Sequence, residues 1–173
     1  LDGGAGKDTI NGGTGDDTLN GGTESDRMDG GPGNDVMEGN PGDDWMLGMA
    51  GNDRMAGQSG NDVLLAHDGD DWMHGGDGND TFYGGEGNDT LIGYNGNDSI
   101  YAGFGDDILY GGDGADVLYG HTGDDTIFGG DTAADLRDIM HGGDGNDSID
   151  GGYGNDLAFA GLGNDTVEGG FGA

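Results

Sequence analysis

The sequence predicts an all-β solenoid along the whole chain, on three observations. A nine-residue unit recurs from Gly3 to Glu168, every unit but one carries a large apolar residue near its end, and much of the rest is glycine and short polar residues suited to turns. A repeat this strict argues for one continuous array rather than two lobes.

Gly75-Gly76-Asp77-Gly78-Asn79-Asp80-Thr81-Phe82-Tyr83 shows the unit in full: glycine at positions 1, 2 and 4, Asn or Asp usually at 5, aspartate at 6, an apolar residue at 8. The phase holds from Gly3 to Phe128. Gly129–His141 is the same unit with about four extra residues, and three regular units follow to Glu168. Residues 1–173 are therefore expected to form a single array of 18 units over 3–168, with a loop insertion near 132–135 and a partial unit over 169–173. Because Leu1 falls in what reads as the tail of a preceding unit, the array is expected to be a segment of a longer protein.

Position 8 supplies the core: Ile10, Leu19, Met28, Met37, Met46, Met55, Leu64, Met73, Phe82, Leu91, Ile100, Leu109, Leu118, Ile127, Met140, Ile149, Ala158 and Val167. With positions 7 and 9 mixed, the period-2 signal is short. It predicts a three-residue strand with one inward side chain, leaving positions 1 to 6 as the turn.

Position 6 never varies. It is Asp8, Asp17, Asp26, Asp35, Asp44, Asp53, Asp62, Asp71, Asp80, Asp89, Asp98, Asp107, Asp116, Asp125, Asp138, Asp147, Asp156 and Asp165. Glycines in the turn let backbone carbonyls converge, and converging carbonyls repel one another unless a cation sits among them. Carboxylates and carbonyls are hard donors. Six or more in a flexible arrangement suit Ca2+, whereas magnesium prefers a smaller octahedron and keeps its waters. One turn offers too few ligands, so the ion is expected between stacked turns, with the eighteen aspartates as its metal ligands.

Against 36 acidic residues stand four basic ones, a formal net charge of −32. Such a surface excludes tracking a phosphate backbone, so nucleic acid and anionic membranes are not expected partners; calcium ions are. There is no cysteine to form a disulfide or thiolate site. No stretch is apolar for long enough to span a bilayer, so no membrane insertion is expected.

The unit Gly-Gly-x-Gly-x-Asp-x-apolar-x resembles the nonapeptide of the RTX (repeats-in-toxin) family, over essentially the entire chain. The resemblance implies a right-handed parallel β-roll in which two nonapeptides make one coil, giving about nine coils and two short-stranded parallel sheets. It also implies two edge columns of calcium, each ion held by the turns of units n and n+2. Eighteen units then offer 18 − 2 = 16 sites. Secretion from a bacterium by a type I system, and folding on calcium outside the cell, follow from the resemblance alone.

Two units depart from the pattern. Glu24 replaces the position-4 glycine of the third unit, where the usual turn is not expected to form. In the fifteenth, Thr132-Ala133-Ala134-Asp135 places Leu136 and Arg137 at positions 4 and 5. Both units lie in one column, which puts four of its sites in doubt and leaves about 12 to 16 ions. Asn40, Met49, Gln58, His67, Tyr94 and His121 replace position-2 glycine, a milder change if the backbone angles survive.

Other chemistry is not supported. Paired aspartates such as Asp16-Asp17 recur too often to be a single acid/base site, the four histidines are scattered, and no zinc-protease or nucleophile-elbow motif occurs. No catalytic residue is expected. Position 9 turns apolar mid-array, at Leu47, Leu65, Tyr83, Tyr101 and Tyr119 on one sheet and Ala56, Ile92, Tyr110 and Phe128 on the other. This fits either β-propensity on a solvated sheet or a surface for self-association or a neighbouring domain. The expected role is a structural stalk, fibre or surface scaffold of a secreted protein. The alternative is the calcium-dependent module of a secreted protease, lipase, epimerase or toxin.

Overall fold

The computed structural model describes every residue except 131, 133 and 173, so Ala133 of the insertion and the last residue of the partial unit lie outside the described residues. Among the described residues all regular structure is β, and no helix is long and apolar enough to cross a membrane. Consecutive strands fall in opposite sheets. One sheet stacks ten strands and the other nine, every pairing is parallel, and each strand lies beside the one two further on. This is the expected β-solenoid of about nine turns.

The strands are longer than the sequence signal. Thr81–Glu86 is typical: six residues covering positions 7, 8 and 9 of one unit and 1, 2 and 3 of the next. Its burial alternates, so Phe82 and Gly84 both face inward. The second inward position is a glycine in most units, and a residue without a side chain leaves no mark in an apolar pattern. The turn is correspondingly shorter, confined to positions 4 to 6.

Register is fixed by the eighteen-residue coil: Phe82 sits on Ile100 and Leu91 on Leu109. Across the insertion the pairs become Leu118 with Met140 and Ile127 with Ile149, so the extra residues leave the ladder in phase. The position-8 side chains form two stacked columns that fill the interior, and those from Leu19 to Ile149 are essentially fully buried. Burying each such side chain contributes roughly 1.5–3 kcal/mol. Ala158 and Val167, on the end strand of each sheet, are the exceptions to the expected core: Ala158 is only partly buried and Val167 is 48% exposed.

Outside, Tyr83, Tyr101, Tyr119, His141 and Phe159 stack in one column with successive ring centroids 5.2, 5.2, 4.5 and 4.6 Å apart and near-parallel planes. Tyr110 and Phe128 stack likewise on the opposite sheet. His141 thus belongs to a ring ladder instead of standing isolated on the surface, and His121 packs beside Tyr119.

Candidate metal centre

All eighteen position-6 aspartates lie in the turns, nine along each edge of the solenoid. Within an edge they are joined by one repeated hydrogen bond: the backbone N–H of each aspartate donates to Oδ1 of the aspartate one coil further on. One column runs Asp8, Asp26, Asp44, Asp62, Asp80, Asp98, Asp116, Asp138, Asp156 at 2.7 to 3.0 Å. The other runs Asp17, Asp35, Asp53, Asp71, Asp89, Asp107, Asp125, Asp147, Asp165 at 2.6 to 3.0 Å. Nine aspartates make eight links per column, so the links match the sixteen inter-turn pairs expected from the repeat.

The other carboxylate oxygen is left over. Among the described residues Oδ2 has no partner at Asp26, Asp35, Asp44 and on through Asp156, and most of these side chains are at most 4% exposed. In the units with glycine at position 1, Oδ2 generally points at that inward glycine, in many of them together with a backbone carbonyl from the next coil. A Cβ built on Gly111 would lie 2.6 Å from Asp116 Oδ2 and 2.6 Å from the Gly129 carbonyl oxygen. Position 1 is small because two oxygens already converge there.

The turn carbonyls add to this set. The carbonyls of Gly78 and Asn79, at positions 4 and 5, accept no hydrogen bond from the described residues. A Cβ on Gly96 would collide with the Gly78 carbonyl oxygen one coil away, so glycine at position 4 leaves room for that oxygen as well as supplying φ of 134°. Buried anionic oxygens without donors are costly, and a bound cation removes the cost.

Burial is the main force on these carboxyls, with neighbouring aspartates of the column adding to it. Together they push Asp62, Asp71, Asp98, Asp116 and Asp125 up to about 7 and Asp107 to about 8, although each accepts a backbone N–H that pulls the other way. Among the described residues no three acidic or imidazole side chains form a ready-made metal cage. What each pair of turns offers is instead two carboxylates with backbone carbonyls nearby, hard oxygens of the kind that calcium takes.

One expectation about the irregular units is corrected. Glu24 adopts the left-handed turn at φ 77°, and its N–H donates to the Pro41 carbonyl at 2.9 Å as glycine does at the same position elsewhere. The aspartate ladder also passes through both irregular units, at Asp26 and Asp138, without a gap. What differs is a second ladder that the sequence reading missed.

At position 5 the side-chain oxygen accepts the N–H of the position-5 residue one coil on, as when Asn79 N–H donates to Asn61 Oδ1 at 2.9 Å. Along the even-numbered units these links run from Asp16 to Asn164. Along the odd-numbered units they join Asp43 to Ala115, where a methyl group accepts nothing further. The recurrence of Asn or Asp at position 5 was the available signal. The position-2 substitutions behave as expected, with φ from 73° at Asn40 to 90° at Met49.

A family model for the RTX calcium-binding nonapeptide repeat, four copies long, matches residues 2–37 and then overlapping stretches through 101–133 and 134–173. The last two matches meet at the insertion. No curated protein matches the chain.

Proposed function

The chain belongs to the RTX calcium-binding nonapeptide-repeat family, and from that membership we propose that it is the calcium-folded structural region of a secreted bacterial protein, serving as a stalk, fibre or surface scaffold. Calcium is the family's ion and binds in multiple copies. The observation that carries the reading is the double column of buried, unpartnered aspartate Oδ2 atoms, which gives up to sixteen inter-turn positions.

The position-6 aspartates hold the ions through Oδ2, and turn carbonyls complete the shell. Bound calcium supplies the positive charge that the columns lack and bridges successive coils. Extracellular calcium modules bind at roughly 10⁻⁴ to 10⁻³ M, so sites of that class stay empty inside a cell and fill outside it. Binding free energy then becomes folding free energy. The chain leaves the cell extended, in keeping with type I export, and coils outside. The exposed edges of the Tyr83–Phe159 column, with Leu47 and Leu65, are the proposed surface for contact with a second copy or a neighbouring domain.

No motif for catalysis interrupts the repeats, which favours a structural role over that of an accessory to an enzyme. Fractionating cells that express the parent protein with a tag beside the array tests this. Retention at the cell surface in calcium, with release on chelation, is the expected result. A parent protein found free in the medium with hydrolase or lyase activity overturns it in favour of the enzyme-module alternative.

A further inference from the structure

The fifteenth unit holds an aspartate that the repeat does not call for. Asp135 lies in the insertion, yet it is only 6% exposed, and among the described residues neither of its carboxylate oxygens has a hydrogen-bond partner of ordinary geometry, the Leu136 N–H and the Asp138 carboxyl being the groups close enough to act on it. It sits against the strand that ends at Gly130: a Cβ built there would be 2.5 Å from Asp135 Oδ2 and would also meet the Gly112 carbonyl oxygen of the preceding coil. Gly130 is itself unusual, since it stays extended where every other position-2 residue has positive φ. The changed backbone makes room for the carboxylate. The charged groups acting on Asp135 are Asp138, Asp156 and Asp116, all position-6 aspartates of the same column.

The same unit also takes up an oxygen of the coil before it. At its position 4, the Leu136 N–H donates to the Gly114 carbonyl at 2.7 Å, the only position-4 carbonyl among the described residues engaged by a backbone N–H. The insertion therefore removes one carbonyl from the edge column and inserts a buried carboxylate beside it. We infer that Asp135 is a calcium ligand outside the repeat motif, sharing one ion with Asp138 and replacing the carbonyl that Leu136 occupies. On this account the insertion repairs the column. The inference rests on the calcium reading of the array.

Calcium bound per chain, measured by equilibrium dialysis at saturating calcium on the full 173-residue chain, tests it with Asp135→Asn, Asp135→Glu and, as a control in the other column, Asp107→Asn. Loss of an outer-shell partner alone weakens a metal site roughly 10–100-fold, so removal of a direct ligand takes the ion out of the count. Asp135→Asn is expected to bind about one calcium fewer than the wild type, while Asp135→Glu, which keeps a carboxylate, retains the wild-type count. A full count in Asp135→Asn beside a reduced one in Asp107→Asn overturns the assignment of Asp135 and leaves the calcium reading standing. The same loss in the Asn and Glu variants gives Asp135 a packing role and also overturns it. A wild-type chain that binds no calcium removes the calcium reading and this inference with it.

Discussion

Asp71 donates its backbone N–H to Asp89 Oδ1 at 2.8 Å, and Asp89 in turn donates its own N–H to Asp107 Oδ1 at 2.7 Å. Position-6 aspartates within the columns are thus clamped by both neighbouring coils while Oδ2 stays uncommitted among the described residues. Asp89→Ala is expected to remove the first link, which ends on the Asp89 side chain, and to keep the second, which residue 89 donates from its backbone. With Oδ2 lost as well it should weaken the two adjacent ion positions, with distant coils still folded, because a solenoid unit contacts only its neighbours. Amide hydrogen exchange in calcium reads this directly. Loss of protection confined to the coils around residue 89 is the expected pattern, and uniform loss along the chain contradicts it.

Protons and calcium should act in opposite directions on the same carboxylates. Asp62, Asp71, Asp98 and Asp107 stand at about 7 to about 8 in the metal-free fold, against an ordinary 3.8. A raised value in the folded state means that folding takes up protons. Stability from these groups is fully present below the ordinary value and is lost as pH rises through about 7 to 8. In chelator, β-content is therefore expected to rise on going from about pH 8 to about pH 5, whereas calcium affinity falls over the same interval as protons compete for Oδ2. Circular dichroism in chelator and calcium titrations at both pH values check the two signs, and a metal-free chain more ordered at the higher pH contradicts the first.

Much of this organisation was legible in the residues: the period, the core column and the invariant aspartates, while the coil of two units came from the family resemblance. The six-residue strand was not, because Gly84 and its counterparts face inward without a side chain to show it. The turn at Glu24 was also misread. Glycine is the usual residue there because of its angles, but a glutamate can adopt a left-handed φ of 77° when the coils on either side hold it. Asp135 was hidden by its place in an insertion, where only the fold shows that it turns inward.

Met49 holds φ at 90° with its side chain 40% exposed, so it carries backbone strain with little compensating burial. A non-glycine residue in the left-handed region costs roughly 1–2 kcal/mol. Met49→Gly is expected to raise the stability of the calcium-loaded chain by about 1 kcal/mol, after allowance for the greater freedom of glycine when unfolded. Thermal unfolding in calcium checks it. A lower midpoint would mean that the Met49 side chain contributes more than the strain it causes.

Tyr101 is stacked between Tyr83 and Tyr119 at 5.2 Å on each side. Ring pairs of this kind contribute roughly 0.5–1.5 kcal/mol each beyond their area. Tyr101→Ser is expected to destabilise the fold by about 1–3 kcal/mol with the calcium count unchanged, and to lower any self-association seen by sedimentation. An unchanged unfolding midpoint contradicts a role for the stack in holding the coils together.

The most direct test of the account is far-UV circular dichroism during a calcium titration, with magnesium as the control. The account predicts a disordered spectrum in chelator that converts to β-structure at sub-millimolar to millimolar calcium and not with magnesium. A chain already β-structured in chelator at about pH 8, unmoved by calcium, would show that stacked strands and ring ladders suffice, and would contradict the claim that ions on the aspartate columns build the solenoid.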